Sequence, residues 1–518
     1  MQDYLFTLAD PEFYETLSRY PASPEFENLV RPMVPADWEF GRRSIWLHAA
    51  PPDARLPAQG FKVHVTSVLG CAADVLRAVV PVLVARGTAF KLAGQIDLLA
   101  LLNSKPYDRG GSGKFITAYP ADEADFRGLL EALHARTAGM PFVGPYILSD
   151  RRYADSKILF YRYGGIKPAE VLAVDGTKHA PLVAPDGTTE PDNRLPYFKL
   201  PRWVADPFGG APELQGDGTA PLGGRYAVTS VLSASNRGGV YAGTDTATGA
   251  PVIIKEARPF INGLYKQGGV VDSTDFVRNE HRILTHLEGV GRTPRALDLF
   301  TEWEHTFLVQ SRVEGTGLRR YLSLHENMML PYIQRPGVLD RFLPKFRALV
   351  EEIVDAVSAV HAADVVLGDV SLNNVMVDPE SLRVTLIDLE SAAVVSRDGD
   401  FLRFSEHWFT PGFARPGRGK GSGPAFTDDW YGVGMLALNL LVPGVEFFYL
   451  KPEGRQQFLN HLRGLGLPAW PADVVTELLA GRPEAARAVL RVGSANDPSV
   501  SADQAVAPVG AAAVGAAA

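Results

Sequence analysis

Three polar side chains in the second half of the chain are arranged as phosphoryl transfer requires. Asp369 and Asn374 lie in one short segment, residues 366–374 (VLGDVSLNN), and Asp388 follows in residues 386–390 (LIDLE). Transfer of a phosphoryl group needs an acidic side chain that orients the attacking hydroxyl and oxygen ligands that hold Mg²⁺ on the phosphates. The pattern predicts that Asp369 is catalytic and that Asn374 and Asp388 bind the metal.

A lysine and a glutamate upstream complete the set that protein kinases use. Lys255 ends the β-rich run 252–255 (VIIK), and Glu280 lies in the apolar helical pattern of residues 276–284. In kinases a strand lysine contacts the nucleotide phosphates and pairs with a helix glutamate. The sequence therefore predicts ATP, or another nucleoside triphosphate, and Mg²⁺ as cofactors, with Lys255 and Glu280 beside the nucleotide.

The phosphate-binding loop departs from the usual kinase sequence Gly-x-Gly-x-x-Gly-x-Val. Residues 238–240 (GGV) set the register, so serine replaces the two earlier glycines, at Ser233 and Ser235. We expect Gly238 and Ser235 to approach the nucleotide, although serine has less backbone freedom than glycine. Gly368 precedes the catalytic Asp, a feature shared with small-molecule phosphotransferases and atypical protein kinases, so phosphorylation of a small molecule is one alternative.

Two later segments favour a protein kinase. Residues 410–416 (TPGFARP) are typical of the end of an activation segment. Asp429, in residues 429–434 (DWYGVG), corresponds to the buried aspartate of a kinase C-lobe. Because these residues follow the catalytic segment in the order that kinases have, we predict an active kinase.

Composition excludes several classes of function. The chain has 518 residues and a formal net charge of −8, so it offers no basic surplus for binding nucleic acid. Its single cysteine, Cys71, excludes a disulfide framework and a Cys-based zinc site, and favours a cytoplasmic location. The N-terminus lacks the order of a signal peptide. The longest apolar run, residues 430–450, falls where a kinase has its buried central helix, so we predict no membrane association.

The chain divides into two folded parts. Residues 1–205 mix short β-rich runs with helical segments, a Gly- and Pro-rich linker follows at 206–225, and the kinase pattern occupies 226–493. Residues 494–518 lack large apolar side chains and are expected to form a disordered, Ala-rich tail. Two amphipathic helices are predicted in the first part, at residues 72–83 and 125–135. The predicted fold class is α+β and multidomain.

The first part carries a histidine and several cations. In residues 60–67 (GFKVHVTS), strand alternation places Lys62 and His64 on one face and apolar side chains on the other, and Lys91 follows in residues 90–92 (FKL). More cations follow at intervals, namely Arg109, Lys114, Arg151, Arg152 and Arg162. Residue types alone leave two alternatives: solvated surface charges beside a structural histidine, or an anion site with an acid–base group.

Several segments resemble class III and class IV lanthipeptide synthetases, whose lyase domain is similar to bacterial effector phosphothreonine lyases. In the first part the resemblance lies in residues 61–65 (FKVHV), 111–120 (GSGKFITAYP) and 161–165 (YRYGG). In the kinase part it lies in the variant motifs 368–374 and 387–390. The resemblance spans about residues 1 to 490. It implies a phosphothreonine-lyase-like α+β domain followed by a two-lobed protein-kinase-like domain.

The resemblance also implies a bifunctional dehydratase whose partner is a ribosomally made precursor peptide with a leader. The kinase would phosphorylate Ser and Thr, and the lyase would eliminate phosphate to leave dehydroalanine or dehydrobutyrine. By the same resemblance Lys91 is the base for the α-proton, and His64 is the acid for the departing phosphate. The implied phosphate ligands of the lyase are Lys62, Arg109, Lys114, Arg152 and Arg162.

Two questions stay open at this point. Class III and IV synthetases carry a C-terminal cyclase domain, whereas this sequence stops shortly after the kinase pattern. Ring closure then belongs to a separate cyclase protein, or the product stays dehydrated, or the sequence is a fragment. The main rival function is an atypical Ser/Thr protein kinase whose first part is a non-catalytic substrate-docking module.

Overall fold

The structure, a computed structural model, describes residues 16–167, 171–172, 178–179, 181–209, 220–266, 269–324, 333–398, 408–418, 423–442, 444, 448 and 451–495. Nearly all of the predicted tail, and residues 210–219 of the predicted linker, lie outside the described residues. The chain forms two compact units, Met1–Arg278 with Leu297–Gln310, and Asn279–Ala296 with Ser311–Ala518. The first unit therefore holds both the N-terminal domain and the sheet that follows it.

A seven-stranded antiparallel sheet forms the centre of the N-terminal domain. Its strand order is β1-β2-β4-β5-β3-β7-β6, which places β3 between β5 and β7. The strands are β1 (Glu39–Arg43), β2 (Trp46–Ala50), β3 (Gln59–Val65), β4 (Ala89–Ala93), β5 (Ile116–Tyr119), β6 (Arg151–Arg152) and β7 (Leu159–Gly165). The helices are α1 (Glu25–Val30), α2 (Ala72–Ala85), α3 (Ile96–Leu102) and α4 (Glu123–Thr137).

Alternation along β3 decides which side chains meet the helices. Phe61 stacks on Phe126 of α4 with ring centroids 4.6 Å apart, and Val63 and Val65 are fully buried in the same core. Residues two apart on a strand share a face, so Lys62 and His64 project to the other side of the sheet. The strand predicted at 61–65 and the helices predicted at 72–83 and 125–135 are confirmed.

A five-stranded sheet follows in the same unit. Its order is β12-β13-β14-β18-β17, with short hairpins before it and beside it. Its strands are β12 (Tyr226–Ser235), β13 (Gly238–Asp245), β14 (Pro251–Ala257), β17 (Ala296–Glu302) and β18 (His305–Ser311). The hairpins are β8 (Val171–Leu172) with β9 (Lys178–His179), β10 (Pro181–Val183) with β11 (Thr189–Pro191), and β15 (Leu264–Lys266) with β16 (Gly269–Val271). Helix α5 (Ser273–His286) follows β16, in agreement with the helical pattern predicted around Glu280.

The second unit is mainly helical. Helix α8, which contains Asp429, packs against α10 and α7. The helices are α6 (Leu318–Leu324), α7 (Val338–Ala362), α8 (Phe426–Leu441), α9 (Gly454–Gly464), α10 (Ala469–Leu479) and α11 (Pro483–Ala495). Short strands form two small sheets, β19 (Thr316–Gly317), β21 (Val375–Val377) and β22 (Val384–Leu386), and β20 (Val365–Val366) with β23 (Ala393–Val394). Among the described residues, no helix combines the length and the apolar character needed to cross a bilayer.

Candidate active sites

A row of polar side chains crosses one face of the seven-stranded sheet. Lys91 on β4 lies opposite Thr117 on β5, and Thr117 lies opposite His64 on β3. Cross-strand partners project to the same face, so these three side chains share one side of the sheet. Lys91 and His64 are two strands apart, roughly 10 Å between Cα atoms.

A buried carboxylate, Asp150, holds the His64 imidazole. Its Oδ2 is hydrogen-bonded to His64 Nδ1, and its Oδ1 lies 3.6 Å from Lys114 Nζ. Burial lowers the pKa of His64 to about 3, although the negative charge of Asp150 acts to raise it. Burial alone would raise the pKa of Asp150, but His64 and Lys114 outweigh it and hold that pKa below its usual range. The sheet therefore presents a fixed imidazole beside an ionised carboxylate.

Lys91 lies in surroundings that favour its neutral form. Its Nζ is 4.3 Å from the ring centroid of Trp46, on the neighbouring strand β2. Burial, followed by the charge of Arg194, lowers the pKa of Lys91 to about 8. A lysine with a pKa near 8 is partly unprotonated at neutral pH and can accept a proton.

Three more cations lie beside the row. Lys62 Nζ donates to Gly165 O at 2.8 Å, and burial together with the nearby Arg162 lowers the pKa of Lys62 to about 7. Lys114 Nζ donates to Gly110 O at 2.9 Å, and burial lowers its pKa to about 8. Arg162 lies opposite Lys62 on β7. A cluster of buried basic side chains of this kind is typical of a site for an anion such as phosphate.

Two charged residues of this site, Asp192 and Arg194, were not predicted from the sequence. Asp192 pairs with Arg162 and accepts the Gly165 N–H at 3.0 Å. The side chain of Arg194 packs against Gly110. A Cβ atom at position 110 would lie only 2.8 Å from Arg194 Cδ, so the contact requires glycine there. The charge of Arg194 also contributes to the lowered pKa of Lys62. Both residues lie in the first folded part, residues 1–205, but outside the motifs on which the sequence-based predictions rest.

Two predicted phosphate ligands have other contacts in the structure. Arg109 lies close enough to Tyr241 of β13 for its charge to act on that hydroxyl. Arg152 forms two hydrogen bonds with Glu304, of 2.6 and 2.7 Å, in the turn between β17 and β18. The structure thus brings Lys62, Lys114 and Arg162 together near His64, and directs Arg109 and Arg152 toward the five-stranded sheet. The roles of all five as phosphate ligands stay predictions.

The hairpin β12–β13 has the geometry of a kinase phosphate loop. Ser235 lies opposite Gly238, and Lys255 on β14 lies opposite Val240. Gly238 has φ 152°, and a Cβ there would be 2.1 Å from Glu256 O, so only glycine fits. The hairpin predicted between the loop and the lysine strand is confirmed. Binding of the nucleotide by Lys255, Ser235 and Gly238 stays a prediction.

In the second unit, hydrogen bonds from two residues hold the Asp369 carboxylate. Asn374 Nδ2 donates to Asp369 O at 3.0 Å and to its Oδ2 at 3.2 Å. Thr410 donates from its backbone N–H to Oδ1 at 2.9 Å and from its hydroxyl to Oδ2 at 3.0 Å. The end of the predicted activation segment therefore contacts the predicted catalytic residue, an arrangement that fixes the carboxylate for orienting a hydroxyl.

Three carboxylates lie close together around Asp388. Oxygen atoms of Glu280, Asp388 and Glu390 all fall within 4.8 Å of one another. Glu280 also accepts the Leu389 N–H at 3.2 Å, which ties helix α5 to this segment. Hard oxygen donors of this kind suit Mg²⁺, and Asn374, whose Nδ2 is bonded to Asp369, has its amide oxygen to offer. The residues fit the predicted metal, and the roles of Asp388 and Asn374 as its ligands stay predictions.

The side chain of Asp429 holds the backbone of the segment that precedes the predicted catalytic residue. Its carboxylate accepts the N–H groups of Leu367 at 2.7 Å and Gly368 at 2.8 Å, and His361 Nε2 lies at 2.8 Å. Asp429→Ala leaves buried donors without an acceptor, so we expect the free energy of unfolding to fall by about 2–4 kcal/mol. Denaturant unfolding of both proteins measures the change.

The matched control for that substitution is Glu477→Ala. Glu477 is paired with Arg482 at the surface, and exposed ion pairs contribute little to stability. We expect its unfolding curve to overlay that of the wild type. An equal loss in both variants would mean that the Asp429 hydrogen bonds contribute nothing particular.

Comparison with known proteins agrees with the two-domain architecture. Residues 26–220 match the family model described as RamC, N-terminal domain, and residues 226–467 match the protein kinase domain. A probable SapB synthase from Streptomyces coelicolor is 38% identical over 443 residues, which cover 84% of this chain and 46% of that protein. The chain thus spans about half the length of the curated relative it matches. The chain therefore carries a RamC-type N-terminal domain followed by a protein kinase domain, the two-domain order that its resemblance to class III and IV lanthipeptide synthetases implies.

Proposed function

We propose that the protein dehydrates Ser and Thr of a ribosomally made precursor peptide in two steps. The kinase domain transfers the γ-phosphoryl group of ATP to the hydroxyl, and the N-terminal domain then eliminates phosphate. The observation that carries the proposal is the row of Lys91, Thr117 and His64 with buried cations beside it. A mere docking domain has no need of such a row.

In the first step Asp369 orients the acceptor hydroxyl and takes its proton. Its carboxylate is held in place by Thr410 and Asn374, so the oxygen that receives the proton has a fixed position. Bound Mg²⁺ neutralises charge on the transferred group. Asp388 and Asn374 hold the ion, and Lys255 contacts the nucleotide phosphates.

In the second step Lys91 takes the α-proton of the phosphorylated residue. The electron pair of the C–H bond forms the new double bond, and the Cβ–O bond breaks so that phosphate leaves with its electrons. The cations Lys62, Lys114 and Arg162 offset the charge of the phosphate. His64 donates a proton to the oxygen that departs.

His64 can act as the acid only when it is protonated, and substrate binding favours its protonation. Burial keeps the imidazole neutral in the free protein, with a pKa of about 3. A phosphate dianion beside it favours the charged form and raises that pKa. His64 therefore gains its proton together with the phosphopeptide, and Asp150 fixes the imidazole through Nδ1 so that Nε2 can donate.

The partners follow from this chemistry. The substrate is a precursor peptide with a leader, and neither of the two proposed steps closes a ring. A cytoplasmic location suits a reaction that consumes ATP. Neither proposed reaction involves nucleic acid or a membrane.

The test is a mass-spectrometric assay of the full chain. The protein is incubated with ATP, Mg²⁺ and the small Ser-rich peptide encoded beside its gene, and we expect the peptide to lose water. Phosphopeptide that never loses phosphate would favour the rival, an atypical kinase with a docking domain. Phosphorylation of sugar or aminoglycoside acceptors instead would favour a small-molecule phosphotransferase.

The pH dependence of elimination reports the proposed base. With a synthetic phosphoserine peptide as substrate, we expect kcat/KM to rise about tenfold per pH unit below pH 8 and to level off above it, because only neutral Lys91 can accept the α-proton. An unperturbed lysine, with a pKa of about 10.4, would place the bend more than two units higher. A bend there, or a flat profile, would contradict the assignment.

A further inference from the structure

We propose that the N-terminal domain positions the phosphate loop of the kinase domain, with Asn236 and Arg258 as the positioning residues. The two domains are then joined at the loop that covers the nucleotide, and the N-terminal domain contributes to ATP binding as well as to elimination. The inference rests on the proposed nucleotide site and is independent of the proposed elimination chemistry.

The first contact is at the tip of the loop. Asn236 lies in the turn between β12 and β13 and is fully buried, with 0% of its surface exposed. Its Nδ2 donates to Leu102 O at 3.2 Å and to Ser104 O at 2.9 Å. Hairpin tips are usually solvated, whereas this one is hydrogen-bonded to backbone carbonyls at the end of helix α3.

Arg258 completes this anchor. It follows β14, is 1% exposed, and donates from Nη1 to Asn236 O at 2.7 Å and to Asn236 Oδ1 at 3.0 Å. Its Nη2 donates to Tyr146 O of the N-terminal domain at 2.5 Å. Burying a guanidinium costs free energy unless acceptors surround it. These carbonyl oxygens offset that cost only while the loop tip and the N-terminal domain are in contact.

A second contact reaches the descending strand of the loop. Glu256 Oε2 accepts the Gly239 N–H at 2.9 Å and the Tyr241 hydroxyl at 2.6 Å. Arg109 of the N-terminal domain lies close enough to the same Tyr241 for its charge to act on that hydroxyl. The tip of the loop is therefore held through the hydrogen bonds of Asn236 to Leu102 and Ser104, and Tyr241, five residues later, lies near Arg109 of the same N-terminal domain.

An anchored loop has a consequence for nucleotide binding. In kinases this loop covers the phosphates, and ordering a mobile loop on binding reduces affinity. Two of its three usual glycines are serine here, and part of the order comes from contacts outside the kinase domain. Loss of the anchor should weaken MgATP binding with little effect on the N-terminal active site.

The experiment measures MgATP binding to the full chain by isothermal titration calorimetry, for the wild type, Asn236→Ala and Asn236→Asp. Aspartate keeps the acceptor for Arg258 but loses both donors to Leu102 and Ser104. We expect both variants to bind MgATP about tenfold more weakly, the effect of losing a buried hydrogen-bonded pair. We expect elimination from a synthetic phosphoserine peptide to proceed at the wild-type rate in both.

Glu304→Ala is the matched control. It removes the ion pair with Arg152, another contact between the same two parts of the chain, but it does not touch the loop. We expect its MgATP affinity to equal that of the wild type. Unchanged affinity in the Asn236 variants, or an equal loss in Glu304→Ala, would overturn the inference. A wild type that does not bind MgATP would instead refute the proposed kinase site.

Discussion

Lys91→Ala is expected to convert the protein from a dehydratase into a producer of phosphopeptide. Removing a general base typically slows a reaction by about 10²–10⁴-fold, so elimination should fall below the rate of phosphorylation and the phosphorylated intermediate should accumulate. Mass spectrometry of the precursor peptide after incubation with ATP and Mg²⁺ separates the phosphorylated from the dehydrated product.

The reason for so large an effect lies in the surroundings of Lys91. Other cations near the row, Lys62 and Lys114, are hydrogen-bonded to backbone carbonyls through their ammonium groups. Lys91 instead has its ammonium group beside the aromatic ring of Trp46. The lowered pKa values are similar for all three lysines, but the hydrogen bonds of Lys62 and Lys114 leave these two poorly placed to replace Lys91 as the base.

Lys157→Ala is the matched control for this substitution. Lys157 is an exposed lysine of the same domain, in the loop before β7, and its loss should leave dehydration at the wild-type rate. Dehydration that persists in Lys91→Ala would assign the base to another residue. A fall in both variants would indicate that the assay responds to net charge and not to the row.

Part of the candidate site could be predicted from the alternation of side chains along one strand. Alternation in residues 60–67 put Lys62 and His64 on one face, and the structure confirms it. The alternative of solvated surface charges does not hold for these two, since they are 7% and 3% exposed. Local pattern suffices here because both side chains belong to one strand.

Contacts between distant segments explain what the sequence did not reveal. Asp150 is 86 residues from His64 along the chain, and no spacing rule connects them. Asp192 and Arg194 reach the site from a segment about 30 residues beyond the strand β7, outside the motifs on which the predictions rest. Arg109 likewise looks like any other cation in the sequence, and only the fold directs it to Tyr241. Short motifs predicted the catalytic residues, whereas the hydrogen-bond and charge partners of those residues depend on strand order and packing.

Asp369→Asn is expected to abolish phosphorylation while elimination continues. Asparagine has the same shape and can still accept hydrogen bonds from Thr410 and Asn374, but it cannot take the proton of the acceptor hydroxyl. We expect phosphorylation of the precursor peptide to fall by at least about 10²-fold, with elimination from a synthetic phosphoserine peptide unchanged.

Asp340→Asn, at an exposed position of α7, should leave both rates unaltered. Wild-type phosphorylation by Asp369→Asn would show that the phosphoryl transfer occurs elsewhere. Loss of both reactions would mean that elimination depends on an intact kinase site, because the substitution itself lies outside the N-terminal domain.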